Sequence, residues 1–453
     1  MLSFAIVESF VKIALLLGGL MTGAAYLVLL ERRMAAWIQD RRGPNRVGMP
    51  LSLINSRWAD LRLFGLGQPL ADGLKFIFKE EFTPAHVDRK LFVLAPIIIL
   101  TTALTVFAVI PFGSVIPFGS ASAETFTSVM PGNSDSEKLL DARQIELVVA
   151  PGVDVGMIFV FALSSVAVYG VILGGWASNN KYSFLGGLRS SAQLIAYELP
   201  LGLGLLGVVL AAGSLNLETI IGEQALNGWY VVTQPLGFFV FLVAAFAESA
   251  RLPFDLPECE QELIGGYHTE YSGIKLLLFL VAEFLHMVTM AFLIVILFFG
   301  GWHLPFEITG FHVAKSGELV PLLIDGWGSE SVVLAWVQAA VRVLVLMAKV
   351  LAVVVFFMLV RWSWPRFRFD QLMALAWKVM LPLGMINFVV VAVIEELRDP
   401  GLFGVRIDSW WLPISLAWFV GVTAWVSVSH LVSRLADNRP HRSLRSDAVD
   451  SAI

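Results

Sequence analysis

Long apolar runs separated by polar connections dominate the chain. A helix needs roughly 20 apolar residues to cross the hydrocarbon of a bilayer, and nine stretches reach about that length: residues 10–30, 91–111, 153–175, 193–212, 231–250, 276–299, 334–360, 374–394 and 410–430. The pattern predicts an all-α polytopic membrane bundle of about nine transmembrane helices. The first run has no basic start and no small-residue cleavage site, and it leads into Glu31-Arg32-Arg33. It reads as a retained helix rather than a removed signal peptide.

The runs divide the chain into a first transmembrane helix (1–30), a cytoplasmic loop (31–90) and a five-helix core bundle (91–300) with an acidic cytoplasmic loop at 249–275. Helices seven and eight follow (301–394), then an additional ninth helix (395–437) and a disordered cytoplasmic tail (438–453). Within the first loop, "QPLADGLKFIFKEE" sets Leu70, Leu74 and Ile77 at helical spacing, with Asp72, Lys75 and Lys79 facing away and Pro69 suited to a first turn. An amphipathic helix is expected there, either lying along the membrane interface or docked as an ordinary loop helix.

Lysine and arginine set the orientation, because positive loops stay cytoplasmic. Alternate connections hold 22 of them on one side and 5 on the other, which places the N-terminus outside and the C-terminus inside. Trp176, Trp302, Trp336, Trp362 and Trp410 stand at span ends, where indole prefers the interface.

Composition agrees: 57% of residues are hydrophobic, mean hydropathy is +0.77 and 15% are charged, against about 25% charged in soluble proteins. The net charge of -5 argues against a nucleic-acid partner, which would call for a basic domain. A single cysteine, Cys259, excludes an internal disulfide, an all-Cys iron–sulfur site and a Cys-rich zinc site. Of seven histidines, His286 alone lies well inside an apolar run. No metal site is expected, and any electrons must be carried by another subunit.

Ionisable residues inside the spans are the chemical signal. The apolar stretch from Leu199 to Ala212 has 14 residues, too few to cross, so its helix must draw in Tyr197 and Glu198. Glu283 and His286 lie three apart on one face, and Arg342 and Lys349 lie two turns apart on another helix. Each charge costs on the order of 2.5–3.5 kcal/mol at a helix centre, so Glu198, Glu283, Arg342 and Lys349 together cost roughly 10–14 kcal/mol if unpaired. Two readings remain: acids and bases that pair to hold the bundle, or a polar axis that passes protons and responds to nearby charge.

"AESARLPFDLPECEQELIGGYHTEYSG" (Ala247–Gly273) packs six carboxylates against one arginine. Pro253, Pro257 and Gly265-Gly266 forbid a regular helix. An acid run is usually solvated loop charge. Here Leu252, Phe254, Leu256, Leu263 and Ile264 alternate with Asp255, Glu258, Glu260 and Glu262, a pattern that suggests a loop folded back into protein. Carboxylates crowded there would raise one another's pKa and store protons.

This stretch closely resembles the third cytoplasmic loop of the quinone-holding membrane subunit of type I NADH:quinone oxidoreductase, respiratory complex I, the subunit known in mitochondria as chain 1. "ERRMAAWIQDRRGPNRVG" (Glu31–Gly48), "QPLADGLKFIFKEE", "AQLIAYELPLGL" (Ala192–Leu203) and "PRFRFDQLM" (Pro365–Met373) resemble further signatures of that family, in order along the chain. The resemblance implies a subunit without redox groups of its own, inactive alone, that forms a chamber for the headgroup of ubiquinone or menaquinone with two peripheral subunits. Flavin and iron–sulfur clusters would belong to partner subunits. Chamber lining is implied for Arg32, Trp37, Arg251, Phe254 and Arg368, with Gln68 to Phe78 near the entry. Proton coupling is implied for Glu198, Glu248, Asp255, Glu258, Glu260, Glu262 and Glu283, relayed past Lys349. Implied partners are the other membrane-arm and peripheral-arm subunits and the lipid of a bacterial inner membrane.

Some features depart from that family. Leu53 to Gly65 looks like an insertion before the interfacial helix, Phe369 stands where tyrosine is common, and Cys259 replaces a small residue. The ninth run exceeds the family's eight-helix core, and its Pro413 and tryptophans suggest a peripheral helix. Two rival readings are the equivalent subunit of a membrane-bound hydrogenase or formate-linked complex, and a secondary transporter for cations or small solutes, where buried acids and broken helices also occur.

Overall fold

The computed structural model describes residues 2–47, 63–113, 147–255, 265–304, 311–313, 319–321, 332–398 and 411–435. The acids Glu258, Glu260 and Glu262, Cys259, most of the 53–65 insertion, most of the 112–152 connection, Trp410 and the tail lie outside them.

Every apolar run becomes helix. In chain order these are α1 (Leu2–Ile38), the amphipathic α2 (Gln68–Phe78), α3 (Arg89–Thr105), α4 (Gly156–Ala177), α5 (Lys181–Ala212), α6 (Leu217–Asn227) and a single turn, α7 (Tyr230–Thr233). Then follow α8 (Pro235–Glu248), α9 (Gly273–Phe298), α10 (Val332–Ser363), α11 (Phe369–Leu375), α12 (Leu381–Arg398) and α13 (Trp411–Leu435). Among the described residues, seven helical segments are long and apolar enough to span, α11 running into α12 through a π-helical turn at Ala376–Met380; α8 and α13 supply shorter apolar helices. Two three-residue strands, β1 (Phe311–Val313) and β2 (Leu319–Pro321), pair antiparallel with His312 opposite Val320, a minor addition to an all-α fold.

Local chemistry fixes the boundaries. The Asp88 carboxylate accepts from the amides of Lys90 and Leu91 at the start of α3, and Asn180 accepts from the amide of Tyr182 at the start of α5. Such caps contribute about 1 kcal/mol each. The fifth run is interrupted: backbone at Gln234 leaves the helical region, and Pro235, which has no N–H to donate, opens α8. The helix after the break has 14 residues, fewer than the sequence pattern implies.

The helices α3, α4, α5, α8, α9 and α12 pack together, and α9 is the core of the bundle, with 78% of its apolar window buried against 11% for α1. Small residues permit the closest approach. A Cβ on Gly175 of α4 would stand 2.7 Å from the Ser183 carbonyl oxygen at the start of α5, and one on Gly186 would stand 2.8 Å from the backbone of Gly266. Glycine at such contacts lets backbones touch where lipid offers no hydrophobic drive between helices.

Trp176, Trp336 and Trp362 are exposed, as interface anchors should be. Trp302 is 4% exposed; it turns inward behind Gly300-Gly301 and does not serve as an anchor. All of α2 is unburied, with Leu70, Leu74, Ile77 and Phe78 outward. A docked loop helix would hide that face, so its exposure fits a helix lying on lipid.

Candidate functional site

The end of α1 and the start of α2 frame an open cavity of about 880 Å³ whose wall includes Glu31, Arg32, Arg41, Arg42, Arg46 and Gln68. Arg32 donates to Asp72 at 2.6 Å, and the Gln68 amide donates to the same carboxylate at 3.0 Å, so one acid on α2 pins that helix to α1. The chamber is strongly basic.

Behind it sits a buried clasp. Glu31 accepts from Arg251 Nη1 at 3.1 Å through one carboxylate oxygen and from Arg361 Nη1 through the other. The Arg251 guanidinium also lies 4.1 Å from the centroid of the Phe284 ring on α9. A second pair, Arg366 Nη2 to Asp255 Oδ2 at 2.9 Å, holds the next acid of the loop, itself buried. Three segments distant in sequence are thereby tied: the end of α1, the loop after α8, and α10 with its following turn. In a buried pair the desolvation cost is offset only while both partners remain, and loss of one costs about 3–5 kcal/mol.

Deeper in the bundle, α3, α4, α5, α8 and α9 enclose a cavity of about 40 Å³, with Glu248, Glu283, His286, Ser164, Ser190 and Tyr267 in its wall. One water requires roughly 10–15 Å³ by this measure, so about three or four fit at most. Tyr267 donates its hydroxyl to Glu283 Oε1 at 2.9 Å. Ser165 donates to Glu198, which lies within electrostatic reach of Glu248. The Gln193 amide donates to the carbonyls of Ala247 (2.9 Å) and Phe254 (2.7 Å), fixing both ends of the turn between α8 and the acidic loop.

That turn joins the two cavities. Glu248, Ser249 and Ala250 line the inner one, and the next residue, Arg251, holds the Glu31 carboxylate in the wall of the outer one.

Lys349 is placed differently from the sequence expectation. Its ammonium donates to the carbonyls of Phe299 (2.7 Å), Gly301 (2.9 Å) and His303, just past the C-terminus of α9, and lies 4.5 Å from the Trp229 ring centroid. Gly300 and Gly301, at φ 67° and 54°, turn those carbonyls inward, a conformation that favours glycine. Sixteen residues separate Glu283 from Phe299, roughly 24 Å of helix, so Lys349 does not adjoin the acids.

Of the remaining sequence candidates, Phe254 is buried between Tyr197 and Phe367, each at 5.5 Å between ring centroids. Trp37, Phe78 and Arg368 are exposed, and neither they nor the buried Arg251 and Phe254 are among the residues that line the outer cavity. Glu31, Arg361, Arg366, Gln193, Tyr267 and Ser165 were not singled out from sequence. For Glu31 a signal existed: an acid directly at the end of a span, where only basic flanks are needed.

Long apolar helices that enclose a small cavity with ionisable residues in its wall, beside an open basic cavity at the end of α1, define a polytopic membrane protein. The chain belongs to the NADH dehydrogenase family, whose profile matches residues 11–392. It is similar to NADH-quinone oxidoreductase subunit 8 of Rhodothermus marinus, 42% identical over 385 residues, with 84% of this chain and 94% of that protein covered. It is also similar to an NADH-quinone oxidoreductase subunit of Geobacter metallireducens, 43% identical over 387 residues (85% and 96% covered), and to one of Leptospira biflexa, 42% over 383 residues (84% and 92%). The family match ends before α13 begins at Trp411.

Proposed function

We propose that this chain is the membrane subunit of a proton-translocating NADH:quinone oxidoreductase, forming the quinone chamber with peripheral-arm subunits and coupling quinone reduction to proton movement in the membrane arm. The observation that carries the reading is the continuity from the basic chamber, through Glu31 and Arg251, to the acid-lined inner cavity. The kinship with proteins named as subunits of NADH-quinone oxidoreductase supports the same assignment.

A quinone headgroup fits the chamber by size and chemistry: 880 Å³ with arginine donors, beside a helix whose exposed apolar face suits an isoprenoid tail arriving from lipid. The electrons come from iron–sulfur clusters of partner subunits, reached from flavin, and ubiquinone or menaquinone is the acceptor. Reduction to quinol takes up two electrons and two protons. Arg32 and Gln68 orient the headgroup, and Arg251, held behind the wall by Glu31, opposes the negative charge that develops on it, an electrostatic task with no covalent step. Phe254 packs behind the inner wall, with Trp37, Phe78 and Arg368 toward the entry and the partner interface.

Asp255, Glu258, Glu260 and Glu262 exchange protons as that charge develops, and Glu248, Glu198 and Glu283 carry the change inward. Lys349 supports the far end of α9. The lysine and arginine asymmetry supports an N-terminus outside and a C-terminus in the cytoplasm of a bacterial inner membrane.

The test is Glu283→Gln in the assembled complex. NADH:quinone activity is expected to fall about tenfold or more, at or below the low end of what positioned acid–base groups supply, while NADH oxidation by an artificial hydrophilic acceptor persists. Equal loss of both activities would count against the assignment.

A further inference from the structure

The inner cavity contains a titratable side chain for which the reading above has no use. His286 stands one helical turn beyond Glu283 on α9, and both line the cavity with Glu248 of α8. Tyr267 reaches in from the turn before α9, Ser190 from α5 and Ser164 from α4, while α3 contributes Ile99. Glu198, held by Ser165, lies within electrostatic reach of Glu248.

A neutral imidazole has one ring nitrogen that donates and one that accepts. Sharing a cavity with one carboxyl a turn away on its own helix and another on α8, it can take a proton on one nitrogen and release another from the opposite one. A carboxyl group can exchange a proton between its two oxygens, but both face the same side of the group, whereas the two ring nitrogens face different directions and can bridge groups on two helices. The cavity has space for the few waters that would close any remaining gap.

We propose that His286 is a proton-relay residue between Glu283 and Glu248. A protonated Glu283 gives its proton to the unprotonated ring nitrogen, breaking a carboxyl O–H bond and forming an N–H bond. The N–H on the other nitrogen breaks, and its proton goes to the Glu248 carboxylate. Net, one proton moves from α9 to α8 and the imidazole ends in the other tautomer, which a ring flip resets. The relay rests on the quinone-coupled reading given above.

The experiment uses the complete complex in native membrane vesicles, with His286→Asn and His286→Leu. Asparagine keeps a donor and an acceptor but cannot relay, so both variants should lose NADH:quinone activity and proton uptake about tenfold or more, with NADH oxidation by an artificial acceptor unchanged. Half or more of wild-type proton uptake in His286→Asn would reduce His286 to a hydrogen-bonding spacer and overturn the relay. Should neither variant assemble, wild-type complex carrying ¹⁵N-histidine decides. Its redox-induced infrared difference spectrum must contain an isotope-sensitive imidazole band of a histidine shielded from external buffer, and absence of that band also overturns the proposal. Wild-type vesicles without NADH:quinone activity would instead refute the function on which the relay depends.

Discussion

Near its middle α9 carries Glu283 and His286 into a cavity walled by side chains, whereas just beyond its last turn the carbonyls of Phe299, Gly301 and His303 close around Lys349. The two regions keep charge inside apolar helices by opposite means. Around Glu283 the partners are hydroxyls, carboxylates and an imidazole, all able to exchange donor and acceptor roles. Around Lys349 the partners are backbone oxygens at a helix C-terminus, fixed acceptors reinforced by the helix dipole and the Trp229 ring. Rearrangement is open to the first set and closed to the second, which suits the first to the proton traffic proposed above and the second to anchoring.

The contrast can be broken experimentally. The largest effect is expected for Glu31→Ala at the clasp that adjoins the acid side, which leaves Arg251 and Arg361 buried without their shared counter-ion. Destabilisation of about 3–5 kcal/mol should appear as a lower thermal dissociation midpoint of the detergent-solubilised complex, and a midpoint equal to wild type would show the clasp to be ornamental. Lys349→Met comes next. Loss of a charge-assisted set of hydrogen bonds costs about 1.5–3 kcal/mol, with turnover per assembled complex nearly intact. A turnover loss as deep as that of Glu283→Gln would mean that Lys349 also moves protons, erasing the distinction. The smallest is Tyr267→Phe, which deletes the 2.9 Å bond to Glu283. About 0.5–1.5 kcal/mol of stability and a modest slowing of quinone reduction are expected, measured by the same two assays.

Much of the fold was legible in sequence because a 20-residue apolar run has few alternatives to a spanning helix. Glu198 was legible for a related reason: its apolar neighbours were too short alone, and the helix does extend past it, starting at Lys181. How far it extends was hidden, since Ser183, Gly186, Gly187 and Ser190 resemble loop residues in composition. They are buried contact points for α4 and the turn at Gly266. The pairing of Glu283 with His286 follows from helical spacing, and the cavity that joins them to Glu248 follows only from tertiary packing. The partners of Lys349 could not be read at all, because they are main-chain atoms presented by a reversal at Gly300-Gly301. Glu31 looked like one more charge at a membrane edge, and its burial depends on two arginines 220 and 330 positions away.

That last separation bears on biosynthesis. Glu31 leaves the ribosome long before Arg361, so the carboxylate must wait in water or headgroups while six further spans are threaded into the bilayer. The three-way ion cluster is therefore among the final contacts to form. A chain halted short of α10 would hold Glu31 against Arg251 alone, without the second arginine that closes the cluster, and such a fragment would be a marked substrate for membrane proteolysis rather than a stable partial subunit.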